Sequence, residues 1–255
     1  MTAPVFVGSG VALLTLFDDD GRLLGDATAE LAQNLFSEGI TAFLIAGTAG
    51  EFFLLDDDER VELVGAVRRA LPAPATVLAH VGGVAGDRAE AMAKAAVGAG
   101  ADGLVALPLG IDDLPSYYAG IVGAAGSTPV LAYHLPQAGA SIPVAVLAEL
   151  GVRAVKDSEG DLDRLRDEIQ TGLDVYTGAP NTLAAMHELG APGTLVGLAN
   201  SHPDVSIAAF SGNADAQARL SALEPASLDD FPTGLKVMTA ERFAIPTGSR
   251  GKAHP

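Results

Sequence analysis

The 255-residue chain carries 15 Lys and Arg against 32 Asp and Glu, a net charge of −17, with 49% apolar and 5% aromatic residues and no cysteine. That length suits one large α/β domain or two small ones and is ample for a sizeable core, which must be aliphatic and rich in alanine and glycine. The charge disfavours nucleic acid as a partner, because phosphate binding needs a basic patch; the missing cysteines exclude disulfides, thiolate metal sites and cysteine nucleophiles together.

No apolar stretch is long enough to predict a membrane span. The run 10–17 has no basic residue before it, and Asp18, Asp19 and Asp20 follow at once, so no secretory signal is expected and a cytoplasmic location is the default. Short apolar runs of strand type then alternate with helical periodicity. The first strand, 11–16, precedes a helical face of Leu31, Leu35 and Phe36. The second, 41–46, leads to a helix that begins in the acidic turn Asp56, Asp57, Asp58 and carries Val61, Val64, Val67 and Leu71. After the third, 75–81, the stretch "GAGADG" at 98–103 reads as a helix stop running into the fourth, 103–107. Strands at 130–133 and 152–156 follow, then Asp161 as the N-cap of a helix with Leu162, Leu165 and Ile169. Strands at 174–176 and 194–198 bring the set to eight. From Glu224 the pattern loosens into a helix over 235–243 and a frayed tail.

Eight strands alternating with helices predict a closed (β/α)8 TIM barrel over 1–223, with a short C-terminal extension over 224–255; an open doubly wound sheet is the alternative. No GxGxxG follows the first strand and there is no Walker loop.

A barrel builds its site at the C-terminal ends of its strands. There the sequence offers Thr15, the turn "GTAGE" at 47–51, His80, Tyr133 and His134, Lys156 with Asp157 and Ser158, Thr177 and Gly178, and Asn200, Ser201 and His202. Lys156 is one of only four lysines and sits where a strand runs into the core. Desolvation there favours a neutral amine, which can attack a ketone. A lysine paired with Asp157 is the competing reading, weakened because neighbouring strand residues face opposite ways. Tyr133 is a candidate acid/base or a core tyrosine with its hydroxyl at the rim. The GTAG turn offers backbone N–H groups and the Thr48 hydroxyl to a carboxylate, or is an ordinary turn. Glu51 reads as structural, bonding loop amides. His80, His134, His187, His202 and His254 lack metal-ligand spacing, and His134 reads as a core or helix-layer residue.

The ordered motifs "GTAGE", "YHLP" and "VKDSEGDL" resemble those of the dihydrodipicolinate synthase/N-acetylneuraminate lyase family of pyruvate-dependent class I aldolases, which carry G-[ST]-T-G-E, Y-N-x-P and G-[IV]-K-[DE]-x-x-G-[DN]. The resemblance runs over about 10–200, with weaker support to Arg242. It implies a barrel, a dimer or tetramer, and a carbon–carbon lyase without metal or organic cofactor. It implies Lys156 as the Schiff-base residue for pyruvate or a 2-keto acid, and Tyr133 and Thr48 as catalytic partners. Gly47, Thr48, Ala49, Gly178 and Leu195 are the expected binding positions. The departures are Ala49 for the second threonine, His134 for asparagine, Ala138 where an arginine grips a second carboxylate, and Leu109 and Gly110 for a tyrosine pair. "GEFF" is closer to sugar-acid members. The leading expectation is therefore an aldolase joining pyruvate to an aldehyde, as in 2-keto-3-deoxy sugar acids or related 4-hydroxy-2-keto acids. The alternatives are a 2-keto acid dehydratase or hydratase-aldolase, 4-hydroxy-tetrahydrodipicolinate synthase, and a non-catalytic keto-acid-binding paralogue.

Overall fold

The computed structural model describes residues 3–83 and 85–250. Its strands are β1 Gly8–Ala12, β2 Ala42–Ile45, β3 Thr76–His80, β4 Gly103–Ala106, β5 Val130–His134, β6 Ala154–Asp157, β7 Asp174–Thr177 and β8 Gly193–Val196. They pair in parallel, each with the next, and β8 closes on β1. The open-sheet alternative is excluded by that closure. Between and after them lie α1 Gly25–Ser37, α2 Asp57–Ala70, α3 Gly86–Gly98, α4 Leu114–Ala125, α5 Val144–Leu147, α6 Leu162–Gln170, α7 Leu183–Glu188, α8 Pro203–Phe210, α9 Ala214–Leu228 and α10 Thr233–Phe243. No helix among the described residues is long and apolar enough to cross a membrane.

The local chemistry explains the boundaries. Asp56 caps α2 and forms a full capping box with Glu59, satisfying two orphan amides at once. Asp161 caps α6 as expected, accepting from the amides of Asp163 and Arg164. The first strand lies earlier than its apolar run predicts. Beyond Leu13 the amides turn away from the ladder: Leu14 N–H donates to Asn200 Oδ1 (3.1 Å) and Leu16 N–H to Thr28 Oγ1 (3.1 Å). These residues stay buried although they are no longer strand, so hydrophobicity alone overran the boundary.

The C-terminal region also departs from expectation. Helix α9 runs through Glu224 and includes Pro225 in its interior. The tail as far as Arg250 is docked rather than frayed. Arg250 grips the Glu59 carboxylate (2.6 Å from Nη1) in the first turn of α2 and the Gly21 carbonyl (2.6 Å) in the loop before α1. At the other end of the barrel, Phe6 stacks on Tyr176 with ring centroids 4.3 Å apart, and the Tyr176 hydroxyl donates to the Phe6 carbonyl (3.0 Å). That plug leaves the C-terminal mouth as the open end.

Candidate active site

Lys156 and Tyr133 are register partners on β6 and β5, so their side chains leave the sheet on the same side. Both are buried, at 2% and 3% exposure. The Lys156 Nζ lies 3.6 Å from the centroid of the Tyr133 ring and donates to Ser158 Oγ at 2.7 Å. The Tyr133 hydroxyl stands 3.5 Å from Ser158 Oγ and 3.4 Å from Thr48 Oγ1, closing a chain from amine to turn. Burial alone would push the Tyr133 phenol up. The Lys156 charge and the bonds to Lys156, Ser158 and Thr48 outweigh it and hold the phenol below its ordinary value.

Asp157 does not pair with the lysine. It faces the helix layer, where Oδ1 accepts from the amides of Glu159 and Gly160, and Oδ2 lies 2.9 Å from Arg164 Nε. The strand alternation therefore separates the amine from the adjacent acid.

The GTAG turn is bracketed by two non-glycine residues in the left-handed region, Ala46 (φ 51°) and Glu51 (φ 56°). Such backbone persists only where the surroundings hold it. Thr15 Oγ1 donates to the Gly50 carbonyl at 2.7 Å. The wholly buried Glu51 carboxylate receives Lys236 Nζ from α10, the Ser249 hydroxyl (2.6 Å) and the Arg250 amide (3.2 Å). Glu51 is thus structural, but its partners are α10 and the tail rather than loop amides. Among the described residues, neither the Thr48 nor the Ala49 N–H donates to a protein acceptor. Those are the groups the turn can offer to a bound carboxylate.

These residues line a cavity of about 590 Å³, within the range of small-molecule sites. Thr48, Ala49, Tyr133, Lys156, Gly178 and Leu195 face it; Gly47 does not, and its carbonyl accepts from the Phe52 amide at 3.3 Å. Gly178 is required by close approach: a Cβ there would fall 2.1 Å from Ser158 Oγ and 2.8 Å from Lys156 Nζ. Ser158, named above only as a polar residue at the end of its strand, lies two positions beyond Lys156 on the same face and bridges the amine to the Tyr133 hydroxyl. The helix expected over 235–243 is α10; that α9, α10 and their connection (Glu224, Leu228, Phe231 and Leu235) roof the cavity had no sequence signal.

The His134 ring makes two hydrogen bonds. Nδ1 accepts the Ile142 N–H (2.9 Å), so Nε2 carries the proton and donates to Glu159 Oε2 (3.0 Å). Burial is the main cause that holds its imidazole below the usual value, and therefore neutral. His134, Asp157 and Glu159 place ligand-type atoms within 4.8 Å of one another. With Nε2 protonated and Arg164 against Asp157, the cluster is a hydrogen-bonded pair of acids and a donor, poorly suited to a cation. His80 is buried under Phe52 (4.1 Å between centroids), and its carbonyl accepts from Arg60 at 2.6 Å. Thr177 bonds Thr182 (2.7 Å), Asn200 bonds the Ala12 carbonyl (2.8 Å), and His202 bonds Ser201 (3.0 Å). His254 lies outside the described residues.

The pattern of the Dihydrodipicolinate synthetase family matches residues 5–222. The chain belongs to this family. Among curated relatives it is 32% identical over 197 residues to a 4-hydroxy-tetrahydrodipicolinate synthase of Synechococcus sp. (strain CC9605), covering 72% of this chain and 65% of that protein. It is 33% identical over 196 residues to the synthase of Corynebacterium aurimucosum, covering 73% and 65%. The match thus spans just under two thirds of the length of these members of the family. Among solved structures, a prophage protein of the same family from E. coli K12, in complex with pyruvate, superposes with a TM-score of 0.89 at 23% identity, covering 96% of this chain and 91% of that one. A 2-keto-3-deoxygluconate aldolase variant from Sulfolobus solfataricus gives 0.84 at 22%, covering 96% and 88%. A sialic acid aldolase from Ruminococcus gnavus gives 0.88 at 18%, covering 97% and 90%. At those identities the likeness is one of fold.

Proposed function

We propose that the chain is a class I aldolase that joins pyruvate to an aldehyde, or cleaves the product, through a Schiff base on Lys156. The observation that carries this reading is the Lys156 amine, buried at 2% exposure, bonded to Ser158 and lying on the Tyr133 ring at the base of a 590 Å³ cavity. The carboxylate of the keto acid is held by the Thr48 and Ala49 amides and the Thr48 hydroxyl, which sets its C2 carbonyl toward Nζ. Lys156 Nζ adds to C2 and water leaves, giving the protonated imine. That cation accepts the electron pair released when a C3 proton departs, so C3 of the enamine becomes the nucleophile. It attacks the aldehyde carbon, the new C3–C4 bond forms, and the aldehyde oxygen takes a proton to become the 4-hydroxyl. Tyr133 is the group placed to carry these protons, in contact with both Ser158 and Thr48. Hydrolysis of the imine returns the amine and releases the 4-hydroxy-2-keto acid. No step calls for a metal or organic cofactor.

The most economical product class is a 2-keto-3-deoxy sugar acid. The described pyruvate complex of the E. coli prophage protein and the sugar-acid aldolases among the structural neighbours support it. The names of the curated relatives favour a second reading, 4-hydroxy-tetrahydrodipicolinate synthase. One assay separates them: the chain is offered 2-keto-3-deoxygluconate, and in parallel pyruvate with aspartate semialdehyde. Pyruvate release from the sugar acid supports the aldolase. Loss of water without pyruvate would mean a dehydratase, and turnover of only the semialdehyde would mean the synthase.

A further inference from the structure

We propose that Glu159, held in place by His134, selects the aldehyde partner, and that this partner is neutral and polyhydroxylated rather than phosphorylated or carboxylated. The inference rests on the aldolase reading above and names the substrate class of the same site.

The cavity is far larger than a three-carbon keto acid seated at Lys156, so most of it serves the other reactant. Away from Lys156 its polar wall is Gln137, Glu159, Asn181, Glu224, Ser227 and Asp230. Three of these are acids. Lys156 is the one Lys or Arg among the described lining residues, and its charge is committed to the keto acid. A second anionic group would meet carboxylates in a confined space, against the background field of a chain with net charge −17. Hydroxyl groups meet the reverse situation, because carboxylates and amide oxygens accept from them.

Glu159 is the acid whose geometry is fixed. His134, 1% exposed, is the residue that breaks the YNxP pattern, and its Nε2 donates to Glu159 Oε2 at 3.0 Å. The Ile142 amide on Nδ1 fixes the tautomer that makes this donation possible. The backbone of Glu159 is pinned too, its N–H donating to Asp157 Oδ1 at 2.9 Å. Arg164 Nε lies 3.9 Å from the same Oε2. A carboxylate tethered through one oxygen at a cavity wall loses little freedom when a hydroxyl donates to it, which is what a specificity residue needs. His134 therefore positions Glu159 from behind, and Glu159 is the member of the pair that lines the cavity. The charge that excludes phosphate is the charge that reads hydroxyls.

The test uses the full chain with pyruvate and two aldehydes, D-glyceraldehyde and D-glyceraldehyde 3-phosphate. The expected result is a kcat/KM at least about tenfold higher for the neutral aldehyde, with Glu159→Gln shrinking that ratio several-fold, chiefly through KM. Equal or better use of the phosphate by the unmodified chain would overturn the proposal, and so would a ratio unmoved in E159Q. Borohydride trapping with pyruvate alone is run on the same preparations. A wild-type chain that traps pyruvate but prefers the phosphate sinks only this inference, whereas failure to trap sinks the aldolase reading and this one with it.

Discussion

At the residue scale, the proposed chemistry depends on a few contacts around one amine. Tyr133→Phe keeps the ring beneath Lys156 but removes the hydroxyl that reaches Ser158 and Thr48. It is expected to lower kcat about 10²–10⁴-fold, with circular dichroism and melting unchanged. Gly178→Ala puts a methyl group against Ser158 Oγ and Lys156 Nζ, so the rate of imine formation in stopped-flow with pyruvate is expected to fall at least about tenfold. An unaltered rate would show that the approach is not tight. Lys156 was legible in the sequence because a lysine at the end of an apolar strand is rare in a chain with four. The indifference of Asp157 followed from strand alternation alone. The partner of Glu51 was not legible, because Lys236 is 185 residues away and only the fold brings it near.

At the element scale, two buried ionic clusters hold the strands and turns that present the site. Glu51 and Lys236 are both wholly buried, so removing one partner strands the other charge. Lys236→Met is expected to destabilise by about 3–5 kcal/mol in urea denaturation, and the double change E51Q/K236M by clearly less. Equal losses would mean that the pair contributes nothing as a pair. Behind β6, Glu168 of α6 is buried beside Asp157, with Arg164 Nη2 2.8 Å from its Oε1. Burial, helped by the Asp157 charge, pushes its carboxyl from 4.5 up to about 8. Between those pH values the folded chain keeps a proton that the unfolded chain has lost, so this group's stabilising contribution is full below 4.5 and is lost as pH rises toward 8. Glu168→Gln is expected to flatten the fall in melting temperature between pH 5 and pH 8 by several degrees. A parallel profile in the variant would contradict the assignment. The cap at Asp161 was readable because its partners lie within the same turn, and the start of α2 was readable from its acidic residues, of which Asp56 is the cap rather than part of the first turn; the end of β1 was not, since Asn200 and Thr28 decide it from elsewhere.

At the scale of the whole molecule, the barrel was legible from rhythm, because eight buried runs spaced by amphipathic segments leave few other closures. The roof was not, since α9 and α10 fold back over the mouth through contacts that no local pattern announces. The net charge of −17 opposes compaction, so added sodium chloride is expected to raise the melting temperature by a few degrees; a fall would mean that ion pairs such as Arg250–Glu59 outweigh the repulsion. The Schiff base on Lys156 is tested by borohydride reduction of the full chain in the presence of pyruvate, followed by intact mass and peptide mapping. The expected result is a single added mass of one reduced pyruvate imine, located on Lys156 and absent from Lys156→Ala. No adduct, or an adduct on another lysine, would contradict it.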